Sequence, residues 1–347
     1  MDIPSRPWKK KSLPRRVLAI RLQAMGDMVI TLPYLQHLRN SLPAGSRIDL
    51  LTREEVDAIP KSLQLFNKVY SIGGARNFKK QIFYTALLLP RLLWQRYEIV
   101  IDLQNNIISR TVRKAIMPKA WAEFDRFSPE AAGDRTRLTI DAVGLKQQSV
   151  ANHDFAFKYQ PHGIDVLKSN GWMPQDDLVL LNPAGAFETR NWPLENYVGL
   201  ARLWLEHFPQ TKFLIMGTKL IDDKAAFLKK ELKEKLINLV NKTKPEEAFA
   251  IIQKTRFVLS EDSGLMHMAW VSGVPTLALF GSTKSYMARP LGEHTSLLDS
   301  SDLECGNCML ETCKYGDTHC LTRYPPSFVF DKAMALLKSI PSFSKFE

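Results

Sequence analysis

The chain has 347 residues, 45% of them hydrophobic, which is enough to build two domains with a core in each. Low-complexity and membrane-spanning classes are excluded, since the longest apolar run, Ala86 to Trp94, is interrupted by Pro90 and Arg91 and falls far short of a span. A net charge of +11 favours anionic partners without choosing among nucleic acid, phosphorylated glycans, nucleotide phosphates and an anionic membrane face.

Residues 1–16 carry Arg6, Lys9, Lys10, Lys11, Arg15 and Arg16 with no apolar core of signal-peptide length, and read as a disordered basic arm of a cytoplasmic protein. A strand is predicted over Val17 to Leu22. Met25, Val29, Leu32, Leu35 and Leu38 recur at helical steps, so a helix opens near Asp27. Further strands follow at Arg47 to Thr52 and Lys68 to Ile72, then a helix from Phe78 to Trp94 that Pro90 should end or kink. Tyr97 to Gln104 has the continuous apolar run of a buried parallel strand.

The pattern weakens between Ala131 and Pro174, and the domain junction is placed at residues 158 to 176. Alternation restarts with Leu178 to Gly185, a helix from Pro193 to Phe208, a strand from Thr211 to Gly217 and a charged helix from Asp222 to Lys235. A strand at Ile237 to Val240, a helix from Pro245 to Gln253, and the strand, turn, helix and strand of Phe257 to Thr283 complete it. Residues Ser327 to Lys338 read as a last helix. Strands alternating with helices in both halves make an α/β protein with parallel sheets.

Three strand-to-helix turns could carry chemistry, because ligands of such proteins collect at the carboxyl ends of strands. The first holds Gly26 and Asp27, where a carboxylate at a helix start can cap the helix, serve as a general base, or do both. In the second, NPAGAFETRNWP, Thr189 and Arg190 precede a helix and offer a hydroxyl and a guanidinium fork to phosphate; the alternative is a surface arginine. In the third, Asp262 or Ser263 can cap a helix, Gly264 lets an anion approach its positive end, and His267 lies one turn on. The cysteines Cys305, Cys308, Cys313 and Cys320 have the CxxC start of a zinc site, but the wider second spacing and His319 as a fifth candidate leave reduced thiols as the competing reading, and no metal is assigned.

DSGLMHMAWVSGVPTLALFGST, MGDMVITLP, NPAGAFETRNWP and the Cys-rich segment ending HCLTR together resemble glycosyltransferase family 9, the ADP-heptose:lipopolysaccharide heptosyltransferases, over about Val17 to Leu337. The resemblance implies the GT-B architecture, two facing Rossmann-like domains with a cleft between them. Boundaries are then a basic arm at 1–16, an acceptor-side domain at 17–165, a nucleotide-sugar domain at 166–325, and a C-terminal element at 326–347 that could pack back on the first domain. It implies an inverting transfer of heptose or a related sugar from an ADP-sugar, with no cofactor required, to a lipopolysaccharide-core acceptor at the cytoplasmic face of the inner membrane. Asp27 matches the family's catalytic base, while Thr189, Arg190, Asp262, Ser263, Gly264, Leu265 and His267 match the donor site. Lys219 replaces an acidic residue that some members use near the ribose, leaving Asp222 or Asp223 as a candidate substitute, with Asp222 taken as the ribose contact. Two other readings stand beside this one: a non-catalytic nucleotide-sugar or glycan-binding protein, and a basic nucleic-acid binder for which no specific module is present.

Overall fold

The computed structural model describes residues 3–145 and 151–340. The chain divides into two compact units between Gln160 and Pro161. The first contains β1 (Ser5–Arg6), β2 (Arg16–Ile20), β3 (Arg47–Arg53), β4 (Val69–Ile72), β5 (Ile99–Asp102) and β6 (Ala120–Glu123), with helices α1 (Met25–Ser41), α2 (Ala58–Ser62), α3 (Phe78–Trp94), α4 (Ile107–Ile116) and α5 (Ala132–Ala142). Its sheet runs β1-β6-β5-β2-β3-β4 and is parallel except for β1. Val17, Leu18, Ala19 and Ile20 of β2 are fully buried, as expected for a central strand covered on both faces.

The basic arm is a correction. Ser5 and Arg6 pair antiparallel with Ala122 and Trp121, and Trp8 donates its backbone N–H to Val143 at 2.8 Å. This segment caps the exposed edge of β6, where unpaired backbone groups outweigh the poor strand propensity of the sequence. Helix α3 also runs through Pro90 instead of ending there. Pro90 is exposed, so the carbonyl of Ala86, one turn back, can turn to water instead of losing its partner in the core.

The second unit contains β7 (Asp177–Asn182), β8 (Thr211–Ile215), β9 (Leu236–Asn238), β10 (Phe257–Glu261), β11 (Thr276–Leu279) and β12 (Thr295–Leu298). Its helices are α6 (Gly163–Ser169), α7 (Leu194–His207), α8 (Asp222–Leu232), α9 (Pro245–Ile252), α10 (Gly264–Val271), α11 (Ser285–Ala288), α12 (His319–Thr322) and α13 (Pro326–Ser339). The sheet is wholly parallel in the order β12-β11-β10-β7-β8-β9. The boundary falls before the expected 165/166 because α6 packs on α9: a Cβ on Gly163 would lie 2.6 Å from the Glu247 carbonyl oxygen.

In both sheets the chain winds outward from a central strand and then returns to its other side. Each unit therefore has a switch point, between β2 and β5 in the first and between β7 and β10 in the second. Loops diverge there and leave room for a ligand at the carboxyl ends of the strands. In the second unit Trp204 of α7 is fully buried, stacked on Phe257 of β10 at 5.1 Å and edge-on to Phe330 of α13 at 6.0 Å. The described part of the C-terminal element thus places its apolar face on α7 of the second unit; residues 341–347 lie outside the described residues. Trp204→Ala should cost about 3–5 kcal/mol. Denaturant unfolding of the second unit checks this, and a loss below about 1 kcal/mol would show that the indole is not the junction of these elements.

Candidate active site

At the second switch point the loop after β7 and the turn after β10 lie side by side. Asn182, the last residue of β7, donates its side-chain amide to Ser260 Oγ at 2.7 Å and to Ser263 Oγ at 2.6 Å. Ser263 in turn caps α10 by accepting the Met266 N–H at 3.4 Å. Its hydroxyl is thus committed to building the turn, and what faces outward is backbone. A Cβ on Gly264 would meet nothing within 4 Å among the described residues, which leave that side of the helix start open. Residues Gly264 and Leu265 supply the first N–H groups of α10, where a helix presents partial positive charge.

Arg190 comes to the same place from the β7 loop. Its Nη1 lies 3.5 Å from Asp262 Oδ2, its guanidinium sits over the Phe187 ring at 4.4 Å, and its buried Nε has no hydrogen-bond partner among the described residues. A cation oriented by an aromatic face, with donor capacity left over beside a helix N-terminus, suits an anion with several oxygens. Thr189 does not share this role. Its hydroxyl is buried and bonded to Ser282 Oγ at 2.8 Å and to the Leu310 carbonyl at 2.5 Å, so it ties the loop to the Cys-rich segment. His267 is also inside: its Nδ1 accepts the Trp270 indole N–H at 3.2 Å, which places the proton of a neutral ring on Nε2. Asp222 opens α8 beyond β8 and accepts the Asn241 side-chain amide at 3.2 Å, so these two residues meet at the same edge of the sheet.

The cysteine segment braces this loop. Ser282 donates its N–H to the Thr189 carbonyl at 3.1 Å, a Cβ on Gly281 would come 1.9 Å from that oxygen, and the Cys320 thiol points at it from 3.8 Å. All four cysteines line a cavity of about 300 Å³. Among the described residues no group of three or more His, Cys, Asp or Glu is placed to hold a metal ion. Burial and the neighbouring thiols push Cys320 up to about 11, whereas backbone N–H groups led by Tyr315 pull Cys313 down.

In the first unit Asp27 occupies the third position of α1 and accepts the Ala24 N–H at 3.0 Å through Oδ2. Its Oδ1 pairs with Arg21 Nη2 at 2.9 Å; Arg21 is buried, bonded to the Leu103 carbonyl and stacked over Phe124 at 4.9 Å. Burial lowers the Arg21 pKa from the usual arginine value and Asp27 opposes that shift. The carboxylate is therefore held at a fixed orientation while its side chain stays 41% exposed, with lone pairs to spare for a ligand. Sequence reasoning missed other residues of this switch point. Gln104, after β5, accepts the N–H groups of Leu22 and Gln23 at 2.9 and 3.1 Å, closing the switch point. Next to it Arg53, Arg110, Arg126, Gln23, Asn105 and Asn106 line a cavity of about 430 Å³.

A family model described as glycosyltransferase family 9 (heptosyltransferase) matches residues 87–319. The chain belongs to that family. Lipopolysaccharide heptosyltransferase 1 of Pseudomonas aeruginosa is 24% identical, with 93% of this chain and 98% of that protein covered. The solved family 9 glycosyl transferase of Veillonella parvula superposes with a TM-score of 0.78 at 20% identity, covering 94% of this chain and 98% of the other. The E. coli heptosyltransferase WaaC, solved with ADP-2-deoxy-2-fluoro heptose, gives a TM-score of 0.65 at 18% identity and covers 92% and 99%. These structures establish the GT-B fold for the family 9 transferase described here.

One further residue of the transferase's second unit has a role that the sequence did not reveal. Glu261, the last residue of β10, is fully buried and accepts the Gly185 N–H at 2.6 Å, the Trp192 N–H at 2.7 Å and the Tyr197 hydroxyl at 3.2 Å. One carboxyl thus holds both ends of the loop that carries Arg190, and Lys224 of α8 adds a bond to the Pro183 carbonyl at 2.7 Å. Burial pushes the Glu261 carboxyl up to about 7, against the opposing pull of Lys224 and the N–H donors. Its proton is held more tightly in the folded than in the unfolded chain. Stability is therefore lost as pH rises from about 4.5 to about 7, by up to about 3 kcal/mol from this group. Glu261→Gln should remove that slope. Unfolding free energies of the two proteins measured across this window should diverge with pH, and parallel curves would contradict the assignment.

Proposed function

We propose that this glycosyltransferase moves a heptose from an ADP-sugar to an anionic lipopolysaccharide-core acceptor, inverting the anomeric carbon. The observation that carries this reading is the Arg190–Asp262 pair beside the open start of α10, in a family 9 chain. The heptosyltransferase WaaC was solved with an ADP-heptose analogue, and the Pseudomonas relative is named for lipopolysaccharide, which supports the donor and acceptor classes. Asp222 with Asn241 serves as the ribose-side contact.

In this mechanism Asp27 takes the proton of an acceptor hydroxyl as the oxygen bonds to the anomeric carbon and the bond to the diphosphate breaks. Arg21 keeps the base aimed; Arg190 and the N–H groups of Gly264 and Leu265 receive the charge that grows on the departing ADP. Those donors are in place before the reaction, so they need not reorganise as charge develops. The arginine-lined cavity of the first unit receives acidic groups of the acceptor, since guanidinium forks match carboxylate and phosphate geometry. We place the reaction at the cytoplasmic face of the inner membrane, where a +11 chain is drawn to anionic lipid.

Asp27→Asn should lower turnover by a factor on the order of 10² or more while ADP binding is unchanged. Near-normal turnover with the true acceptor would remove Asp27 from the base role. Arg190→Ala should weaken ADP binding by about 10- to 100-fold in calorimetry. An unchanged dissociation constant would take Arg190 out of the donor site.

A further inference from the structure

The helix α3 is apolar on the side that faces away from the protein. Thr85 and Leu92 are buried against the sheet, whereas Phe83, Leu87 and Trp94 are 60%, 58% and 84% exposed. At 100° per residue these three fall within about 40° of one another around the axis, opposite Thr85 and Leu92. A helix on a water-facing surface carries polar side chains there, so this pattern calls for something to cover it.

The charges around the stripe indicate what does. From Arg76 to Tyr97 there are five cations, Arg76, Lys79, Lys80, Arg91 and Arg96, all exposed, and no acidic residue. A second copy meeting this face about a two-fold axis would set like charges against each other. An anionic bilayer instead accepts both parts: aromatic and aliphatic side chains enter the headgroup boundary, and flanking Lys and Arg meet lipid phosphates. The helix also leads to the proposed acceptor cavity, since Phe78 and Gln81 in its first turn line the same walls as Arg53, Arg110 and Arg126. Phe127, on that cavity, is 93% exposed.

We propose that the outer face of α3 is the surface by which this transferase docks on an anionic membrane, with Phe83, Leu87 and Trp94 inserted and the flanking cations on the headgroups. The acceptor's lipid end then stays in the bilayer while its sugar reaches the arginine-lined cavity. This deepens the membrane placement proposed above, and the docking test can fail without touching the transfer reaction.

Co-sedimentation with phosphatidylglycerol-containing and pure phosphatidylcholine vesicles tests it in the full-length protein. Wild type should bind the anionic vesicles, and bind them less at high salt, while F83S/L87S/W94S should bind at least about tenfold more weakly. Because these side chains are exposed, the variant should keep its circular dichroism spectrum and its turnover on a water-soluble, lipid-free acceptor. Turnover on vesicle-borne acceptor should fall. Equal vesicle binding by wild type and variant would overturn the proposal, as would a wild type that ignores anionic vesicles. So would a wild-type dimer that becomes a monomer in the variant by analytical ultracentrifugation, since a second copy would then be the occupant.

Discussion

The loop after β7 in the second unit depends on a buried carboxyl at the end of a strand. Glu261 holds the N–H groups of Gly185 and Trp192, the two ends of the loop that carries Arg190. Within it, a Cβ on Gly185 would sit 2.5 Å from the Arg190 carbonyl, so the loop closes on itself only with glycine there. Arg190 is thereby delivered beside Asp262 without reaching for it. Burying an ionisable group is costly, and the raised pKa of Glu261 records that cost. What it brings is a cation held in place beside the start of α10.

The first unit applies the same topology to a different end. Its switch point is closed by Gln104 instead of a carboxylate, and its ionisable pair, Arg21 with Asp27, is partly open to solvent. Asp27 is positioned by a buried partner and left 41% exposed itself. Glu261, in contrast, is fully sealed. Elsewhere in the unit an arginine-lined cavity adjoins the first turn of α3, whose outer face is apolar.

Much of this was legible in the sequence because buried parallel strands announce themselves as apolar runs, as in Val17 to Ile20 and Phe257 to Leu259. The turn at Asp262 to Gly264 was legible too, since capping and glycine chemistry are local. Short elements were not: β6 and β12 have four residues each, and α4 and α5 carry polar residues at buried positions, including Ser109, Arg113, Arg135 and Thr136. Ser5 and Arg6 form a strand only because the edge of β6 is there to pair with. Residue roles were harder still. Thr189 and Ser263 lie at the expected positions but turn their hydroxyls to the scaffold, while Glu261 acts through side-chain direction, which spacing does not encode.

In the function proposed for this protein, the β7 loop and the start of α10 together hold the donor's diphosphate. A crystal structure of the protein with ADP tests this most directly. The expected result is phosphate oxygens within hydrogen-bond distance of the Arg190 guanidinium and of the backbone N–H groups at Gly264 and Leu265. A diphosphate bound away from both, with Arg190 still paired only to Asp262, would contradict it.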